Sequence, residues 1–386
     1  MNVITNEHLE RTTRDNSLAK SFIHELLTSA GISINGPNPW DIQVHNEAFY
    51  NRALRQPALG LGESYMDGWW DCAHLDDFFY RILHAKLEYQ LKKSKRLTLD
   101  LVLAKIINFQ TKLRAKEVGL KHYNLGYSLF HNMLDSRMNY TCGYWKNATT
   151  LDEAQLNKLD LVCQKLQLKP GMRLLDIGCG WGGLVKYAAE KYGVSAVGVT
   201  ISQDQYEYAK ENCKGLPVEI RLQDYRDVNE QFDRIASLGM FEHVGHLNYR
   251  TYMKTVNQCL APEGLFLLHT IGSNQTTYKA NGWISKYIFP NGMIPSIAQI
   301  AKAEEPLFIM EDWHNFGADY DKTLMAWQAN FQKNWEKIRD QFDNRFYRMW
   351  NYYLLSCAGA FRARDMQLWQ IVYSKRGVFG GYQAPR

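Results

Sequence analysis

Short apolar runs alternate with amphipathic stretches along the chain from about residue 122 onward. The apolar runs have the length and branched side chains of buried strands, whereas the stretches between them repeat their apolar positions at helical spacing. This alternation predicts an α/β fold in which a parallel sheet is wrapped by helices, with ligands bound at the carboxyl ends of the strands. The strands predicted in this way are 173–177, 196–200, 218–222, 234–238 and 265–270.

The first 90 residues follow a different pattern. A helical periodicity over 17–30 is followed by a turn rich in glycine, proline and asparagine at 35–39, and then by mixed short elements. The glycine- and aromatic-rich stretch 60–70 indicates a packed turn, with a functional loop as the alternative. The predicted divisions are a smaller, mainly helical N-terminal domain at 1–90 with a lipid-binding or dimerisation role, a basic linker helix at 91–121 and a catalytic domain at 122–386.

The composition is that of an ordinary globular protein, with 46% hydrophobic and 22% charged residues among 386. No apolar run reaches the roughly 18 residues that cross a membrane, and the polar N-terminus does not resemble a signal peptide. The seven cysteines include no Cys-x-x-Cys pair, which favours a reducing compartment. These features together predict a cytoplasmic protein. Because the spacing of His243 and His246 matches no metal motif, we also predict no bound metal.

Positive charge is concentrated between Lys86 and Lys121, where ten basic residues face three acidic ones, although the whole chain carries a net charge of only +5. Within this segment Leu99, Leu103 and Ile106 recur at helical spacing. A basic amphipathic helix of this kind is typical of contact with an anionic membrane surface. The alternative is a linker helix that packs its apolar stripe on a neighbouring domain. No nucleic-acid-binding motif accompanies the charge, so we predict no nucleic acid partner.

Glycines crowd the turn that follows the first predicted strand, which indicates that the backbone passes close to a ligand. The spacing of Gly178, Gly180 and Gly183 also fits the dinucleotide fingerprint. However, the next strand ends at Thr200, where an NAD site has an acidic residue. Asp176, two residues before the first glycine, is more typical of S-adenosylmethionine (SAM) sites. We therefore predict SAM, with NAD or a purely structural turn as the alternatives.

Four further loops are expected at the same edge of the sheet. The hydroxyl and amide groups of 200–205 suit a ribose or a carboxylate, and Asp224 is placed to accept a hydrogen bond from an adenine amine. Glu242 follows one apolar strand and His269 ends another, and a carboxylate beside a histidine fits acid–base catalysis. The alternatives are that Asp224 and Glu242 only cap helices, and that His269 is buried with its hydrogen bonds satisfied and has no catalytic role.

These segments resemble the cyclopropane fatty acid synthases, and the resemblance extends into the N-terminal region through 60–72, so that it covers nearly the whole chain. Thr141 departs from the family pattern, in which serine is common at this position, but it retains the hydroxyl. The motifs that carry the resemblance are 139–145, 174–183, 239–245, 267–272, 286–292, 314–320 and 361–370.

The resemblance implies a Rossmann-like class I SAM-dependent methyltransferase domain and a transferase reaction. In that family a methylene group is added across the cis double bond of a phospholipid acyl chain through a carbocation, and S-adenosylhomocysteine (SAH) is released. The implied partners are unsaturated phospholipid, the inner face of a membrane and a second copy of the chain in a homodimer. The alternatives are a methyltransferase of a small amine, an enzyme that makes methyl-branched acyl chains, and a non-catalytic lipid-binding protein.

The resemblance also implies the residues of the site. A bicarbonate ion is expected beside the side chains of Cys142, Glu242, His269 and Tyr320 and the backbone of Gly239 and Ile271, where it would help to remove a proton from the carbocation. Cys142 as a nucleophile is the alternative, but the local sequence offers no group that would lower its pKa. The implied SAM contacts are Tyr140, Thr141, Asp176, Gly178, Cys179, Gly180, Trp181, Gly182, Thr200, Ile201, Ser202, Gln205, Asp224 and Tyr225.

Overall fold

The computed structural model describes residues 17–87 and 126–386, so the predicted basic helix at 91–121 lies outside the described residues. The described residues form two compact units. The first contains 17–87, 281–288 and 335–365, and the second contains 126–280, 289–334 and 366–386. These units interleave along the chain, whereas the predicted domains are consecutive, and the roles assigned to the predicted domains stay predictions.

The described helices vary in length from about one and a half turns to almost six turns. None of them is long and apolar enough to cross a membrane. They are α1 (17–29), α2 (Ala48–Arg55), α3 (Pro57–Met66), α4 (Leu75–His84), α5 (Tyr127–Met133), α6 (Leu151–Lys165), α7 (Gly183–Tyr192), α8 (Gln203–Asn212), α9 (Tyr249–Cys259), α10 (Gly282–Tyr287), α11 (Ile297–Glu304), α12 (Ala318–Ile338) and α13 (Asn344–Arg362). The strands are β1 (Gln43–Val44), β2 (Trp70–Asp71), β3 (Arg173–Ile177), β4 (Ser195–Thr200), β5 (Val218–Leu222), β6 (Phe232–Leu238), β7 (Leu260–Ser273), β8 (Ile309–Asn315) and β9 (Met366–Ser374).

The first unit is mainly helical and is built around aromatic rings. The Trp70 ring lies 5.1 Å from the Tyr65 ring and 5.4 Å from the Phe78 ring, measured between centroids. Tyr352 of α13 packs on Tyr65 at 5.5 Å and on Trp283 of α10 at 4.5 Å. Segments that are far apart in the chain therefore share one apolar core.

The second unit contains a seven-stranded sheet in the order β5-β4-β3-β6-β7-β9-β8. Neighbouring strands from β5 to β7 are parallel, whereas β9 is antiparallel to both β7 and β8. The prediction of a parallel sheet is thus correct for five strands and wrong for the other two, which the periodicity missed. The polar side chains of Gln367, Gln370 and Ser374 interrupt the apolar residues of β9 although all three are buried, so the segment is not a continuous apolar run and periodicity does not identify it.

Both faces of this sheet are covered. Adjacent residues of β3 point to opposite sides, so that Leu175 joins one apolar cluster with Ile235 and Leu174 joins another with Ala236. The strand β3 lies between β4 and β6, where the order of the parallel strands reverses direction. A crevice forms at such a switch point, at the carboxyl ends of the strands.

Candidate active site

The glycine-rich turn leaves β3 at this switch point. Gly178, Gly180 and Gly182 have φ angles of +81°, +54° and +83°, in the left-handed region that glycine adopts without strain. A Cβ on Gly178 would also lie 2.8 Å from the Cγ of Met240. The turn therefore needs its glycines for conformation as well as for space, and α7 begins directly after it.

A cavity of about 180 Å³ adjoins this turn. Every predicted SAM contact except Gly182 lines it, including Tyr140 and Thr141 before α6 and Tyr225 after β5. The loops that the sequence places at the carboxyl ends of β3, β4 and β5 are thus brought together around one space. Contact of these residues with SAM stays a prediction.

Polar side chains within the loop after β4 are hydrogen-bonded to each other, and so are those within the loop after β5. The Thr200 hydroxyl donates to Gln205 Oε1 at 2.9 Å, and the Ser202 hydroxyl accepts from the backbone N–H of Gln205 at 3.4 Å. Asp224 accepts from the Arg226 guanidinium at 2.8 Å and 2.5 Å and caps the short helix Tyr225–Asp227. Asp224 therefore both caps this helix and lines the cavity, and each of its carboxylate oxygens accepts a hydrogen bond from the Arg226 side chain.

Glu242 lies in the short helix Phe241–His243, which follows β6. Its Oε1 accepts a hydrogen bond from the backbone N–H of Ile271 at 2.7 Å. Its other carboxylate oxygen, Oε2, is buried and has no hydrogen-bond partner among the described residues. Burial raises the pKa of Glu242 to about 7, so its carboxyl group holds or releases a proton near neutral pH.

His269 lies in β7 and is almost completely buried. The Gln370 side-chain amide donates to its Nδ1 at 3.2 Å across the β7–β9 pairing. Burial lowers the pKa of His269 well below its ordinary value, so the ring is neutral and its single proton is on Nε2. That N–H is also buried without a partner in the described chain. His269 is therefore a donor with no acceptor among the described residues.

Cys142 is fully buried, and burial raises its thiol pKa well above the ordinary value. The Sγ contacts the carbonyl oxygen of Gly143 at 3.2 Å and lies 3.9 Å from the Thr323 hydroxyl. A thiol that remains protonated is a poor nucleophile, so this geometry disfavours the alternative of covalent catalysis. Thr323 also accepts from the backbone N–H of Gly143, which fixes this loop.

Tyr320, near the start of α12, belongs to a ring cluster beside the cavity. Its ring centroid lies 5.9 Å from that of Trp327, which in turn lies 5.1 Å from that of Tyr140. Phe289 packs on the other side of Tyr140 at 6.5 Å. Tyr140 therefore connects the predicted SAM contacts to an aromatic wall that includes the predicted bicarbonate ligand Tyr320.

Gly239 connects the cavity to the acid–base residues. It lines the cavity, its N–H donates to the His269 carbonyl at 2.9 Å, and its φ is +67°. A Cβ at this position would lie 2.7 Å from the Thr141 Cγ2. Of the predicted bicarbonate site, Gly239 alone is among the described residues that line the cavity. The other members do not line it: Cys142, Glu242, His269 and Tyr320 are buried, and Ile271 is half-buried.

Comparisons with known proteins agree on one family. Residues 110–371 match the model of the family described as mycolic acid cyclopropane synthetase. Cyclopropane-fatty-acyl-phospholipid synthase of Escherichia coli strain K12 is 59% identical over 363 residues, which cover 94% of this chain and 95% of that protein. The crystal structure of mycolic acid cyclopropane synthase CmaA1 with SAH and CTAB has a TM-score of 0.63 at 32% identity, over 68% of this chain and 98% of that one.

The chain belongs to this family. Membership confirms the predicted resemblance, the Rossmann-like class I methyltransferase fold and the prediction of a SAM-dependent transferase. The fold alone does not identify the methyl acceptor. Coclaurine N-methyltransferase, solved with N-methylheliamine and SAH, has a TM-score of 0.68 at only 22% identity, over 82% of this chain and 99% of that one.

Several residues around the site were not predicted from the sequence. Lys158 and Arg226 line the cavity, and Gln370 orients His269. A signal for Lys158 was present, since it stands four residues from both Ala154 and Val162, which are buried, and so occupies the apolar stripe of α6. Gln370 gave no such signal, because its partner is 101 positions away in the chain.

Proposed function

We propose that this protein is a cyclopropane-fatty-acyl-phospholipid synthase, which transfers a methylene group from SAM to the cis double bond of an unsaturated phospholipid acyl chain and releases SAH. The identity with the Escherichia coli synthase over almost the full length of both chains carries this proposal. The glycine-lined cavity and the buried acid–base residues beside it support the proposal independently.

The reaction requires a poor nucleophile to meet a strong electrophile away from water. A new bond forms between an alkene carbon and the sulfonium methyl group as the carbon–sulfur bond breaks, which leaves a carbocation on the acyl chain. Loss of one proton from the transferred methyl group lets the second carbon–carbon bond close the ring. The rings of Tyr140, Phe289 and Trp327 form an aromatic wall beside the cavity and suit stabilisation of this cation without trapping it.

Residues beside the cavity fit a small oxyanion such as bicarbonate. Glu242 Oε2 and His269 Nε2 are both buried without partners among the described residues, as expected where a small polar group completes the site. His269 would donate through Nε2 and Tyr320 through its hydroxyl, whereas the Cys142 thiol already donates to the Gly143 carbonyl oxygen and would contact the ion without donating to it. Bound there, bicarbonate supplies a base for the methyl proton.

Glu242 has a separate task in this arrangement. Its pKa of about 7 lets it hold a proton on Oε2 and donate it to the oxyanion, while Oε1 is fixed by the Ile271 N–H. The N–H groups of Gly239 and Ile271 already donate to His269 and Glu242, so these two residues would contribute their carbonyl groups rather than their N–H groups.

A turnover assay with matched lipids tests the proposed substrate. Vesicles of a cis-monounsaturated phosphatidylglycerol and of its saturated counterpart are incubated with SAM, and SAH is quantified. We expect SAH formation with the unsaturated lipid and background formation with the saturated lipid. Equal rates with both lipids, or SAH formed from a soluble amine in the absence of vesicles, would contradict the proposal.

A substrate within a bilayer implies that the protein visits the inner face of the membrane as a peripheral protein. The local excess of basic residues between Lys86 and Lys121 supports binding to anionic lipid. Cosedimentation with phosphatidylglycerol vesicles should therefore weaken as salt increases from about 50 to 500 mM, because screening shortens the range of these charges. Salt-independent binding would favour the alternative in which this segment packs within the protein. A homodimer is also proposed from the family resemblance, and sedimentation equilibrium tests it.

A further inference from the structure

Lys158 of α6 is a buried cation that the acid–base chemistry does not use. Its side chain is 1% exposed, yet it lines the cofactor cavity. The ammonium donates to the Thr141 hydroxyl at 3.0 Å and to Asn139 Oδ1 at 3.3 Å. Both partners are neutral oxygens, and no carboxylate of the described chain forms a direct ion pair with it, although the charges of Asp135 and Asp176 act on it from further away. A desolvated ammonium without a paired anion is costly, and an anionic ligand would offset that cost.

Asn139 and Thr141 are themselves held in defined orientations. The Asn139 side-chain N–H donates to Asp135 Oδ2 at 2.8 Å, which turns its carbonyl oxygen toward Lys158. The Thr141 hydroxyl accepts from Lys158, and this leaves its own hydrogen free to donate to a ligand. Thr141 also lines the cavity, next to Gly239. The lysine thus fixes which way the threonine hydroxyl points.

A carboxylate of opposite charge faces the same cavity. Asp176, at the end of β3, is 3% exposed, and its Oδ1 has no partner among the described residues. The positive charge of Lys158 acts on Asp176, although no direct ion pair joins the two. Burial raises the pKa of Asp176 to about 7, and a bound ammonium group would favour its charged form. The cavity therefore presents one buried cation and one buried carboxyl group near the glycine turn.

The amino-acid end of SAM is a zwitterion with one carboxylate and one ammonium group. We propose that Lys158 is a positioning residue that recognises the SAM carboxylate, by orienting the Thr141 hydroxyl toward it and by supplying the compensating positive charge, while Asp176 takes the ammonium group. This inference rests on the proposed SAM-dependent function. It assigns to α6, outside the glycine turn, the discrimination between an intact and a decarboxylated amino-acid end.

The experiment compares two sulfonium ligands that differ in one group. Isothermal titration measures the Kd of SAM and of decarboxylated SAM for the wild type and for Lys158→Met, which keeps the side-chain length and removes the charge. We expect the substitution to weaken SAM binding by about tenfold to a hundredfold, the loss typical of a buried charged hydrogen-bond partner, and to change binding of decarboxylated SAM by less than about threefold.

Lys165 of the same helix provides a matched control. It too is a buried lysine, but it is ion-paired with Asp312 at 3.2 Å and does not line the cavity. Lys165→Met should therefore lower stability without changing the ratio of the two Kd values. If Lys158→Met does not fold, Thr141→Val is titrated with the same two ligands, and it should lose affinity for SAM selectively.

Loss of affinity for both ligands to the same extent in Lys158→Met would overturn the inference, since it would indicate a purely structural lysine. Equal Kd values of the two ligands for the wild type would also overturn it, because the carboxylate would then not be recognised. Failure of the wild type to bind either ligand would instead refute the proposed function itself.

Discussion

The cofactor cavity and the acid–base corner, defined as Glu242 and His269 with their neighbours Ile271 and Gln370, differ in how their polar groups are satisfied. In the cavity, the Thr200 hydroxyl bonds to Gln205, and Asp224 pairs with Arg226. In the corner, Glu242 Oε2 and His269 Nε2 are buried without partners in the described chain.

We infer from this difference that the cavity serves ligand binding and the corner serves the chemical step. Groups that are already bonded to one another hold their geometry and bind a ligand with little rearrangement. Each unsatisfied buried group destabilises the fold by about 1–3 kcal/mol, so it persists where a ligand or a reaction makes use of it. Changes in the cavity should therefore act mainly on SAM affinity, and changes in the corner mainly on the rate of chemistry.

Glu242→Gln should give the largest effect. The amide keeps the size of the side chain but loses the titratable carboxyl group that we propose to bind the oxyanion, so we expect kcat to fall about 100- to 10,000-fold. The Kd of SAM should change by less than about twofold. Single-turnover kinetics with unsaturated vesicles and calorimetric titration of SAM measure the two quantities. Full activity in this variant would break the assignment of chemistry to the corner.

Tyr320→Phe should have the next largest effect. It removes the hydroxyl that we propose as a donor to the oxyanion but keeps the ring that packs on Trp327, so we expect kcat to fall about tenfold to a hundredfold. The same kinetic assay is used, and the unfolding temperature of the variant should stay close to that of the wild type. A wild-type rate would show that the hydroxyl does not contact the reacting groups.

The pH dependence of stability tests burial in the corner. Burial raises the Glu242 pKa from 4.5 to about 7, so between these values the folded chain retains a proton that the unfolded chain has released. Stability therefore decreases as pH rises through this window, by on the order of 1–3 kcal/mol for this group. Denaturant unfolding of wild type and Glu242→Gln at pH 5 and pH 7.5 isolates the contribution, since glutamine does not titrate. Parallel pH profiles would place the carboxyl group in contact with solvent.

Thr200→Val should give the smallest effect, and that effect should be on the Kd of SAM rather than on kcat. Loss of the hydroxyl bonded to Gln205 should weaken SAM binding about threefold to tenfold, the usual contribution of one hydrogen bond. At saturating SAM, kcat should remain near the wild-type value. A fall in kcat with an unchanged Kd would reverse the comparison between the two regions.

The accuracy of the sequence predictions follows the same division. The strands 173–177 and 218–222 coincide with β3 and β5, and the loops that follow β3, β4 and β5 do line one cavity. These features are encoded locally, in glycine spacing and in apolar runs. The strands β8 and β9 were missed because one is largely polar and the apolar residues of the other are interrupted by buried polar side chains.

The properties of the corner depend on contacts between residues that are far apart in the chain. The tautomer of His269 depends on Gln370 in β9, and the pKa of Glu242 depends on burial beneath several elements. Neither quantity follows from local periodicity, although the family resemblance named both residues. Lys158 was missed for a related reason, because its spacing indicated a buried position while its type suggested an exposed one.

The most direct test of the central claim uses SAM with a fully deuterated methyl group and vesicles of cis-unsaturated phospholipid, followed by mass spectrometry of the acyl chains. Methylene transfer with loss of one hydron from the methyl group predicts a product that has no double bond and retains two deuterium atoms. A product that retains all three would indicate methyl branching and would contradict the account, as would unchanged acyl chains in the presence of bound SAM.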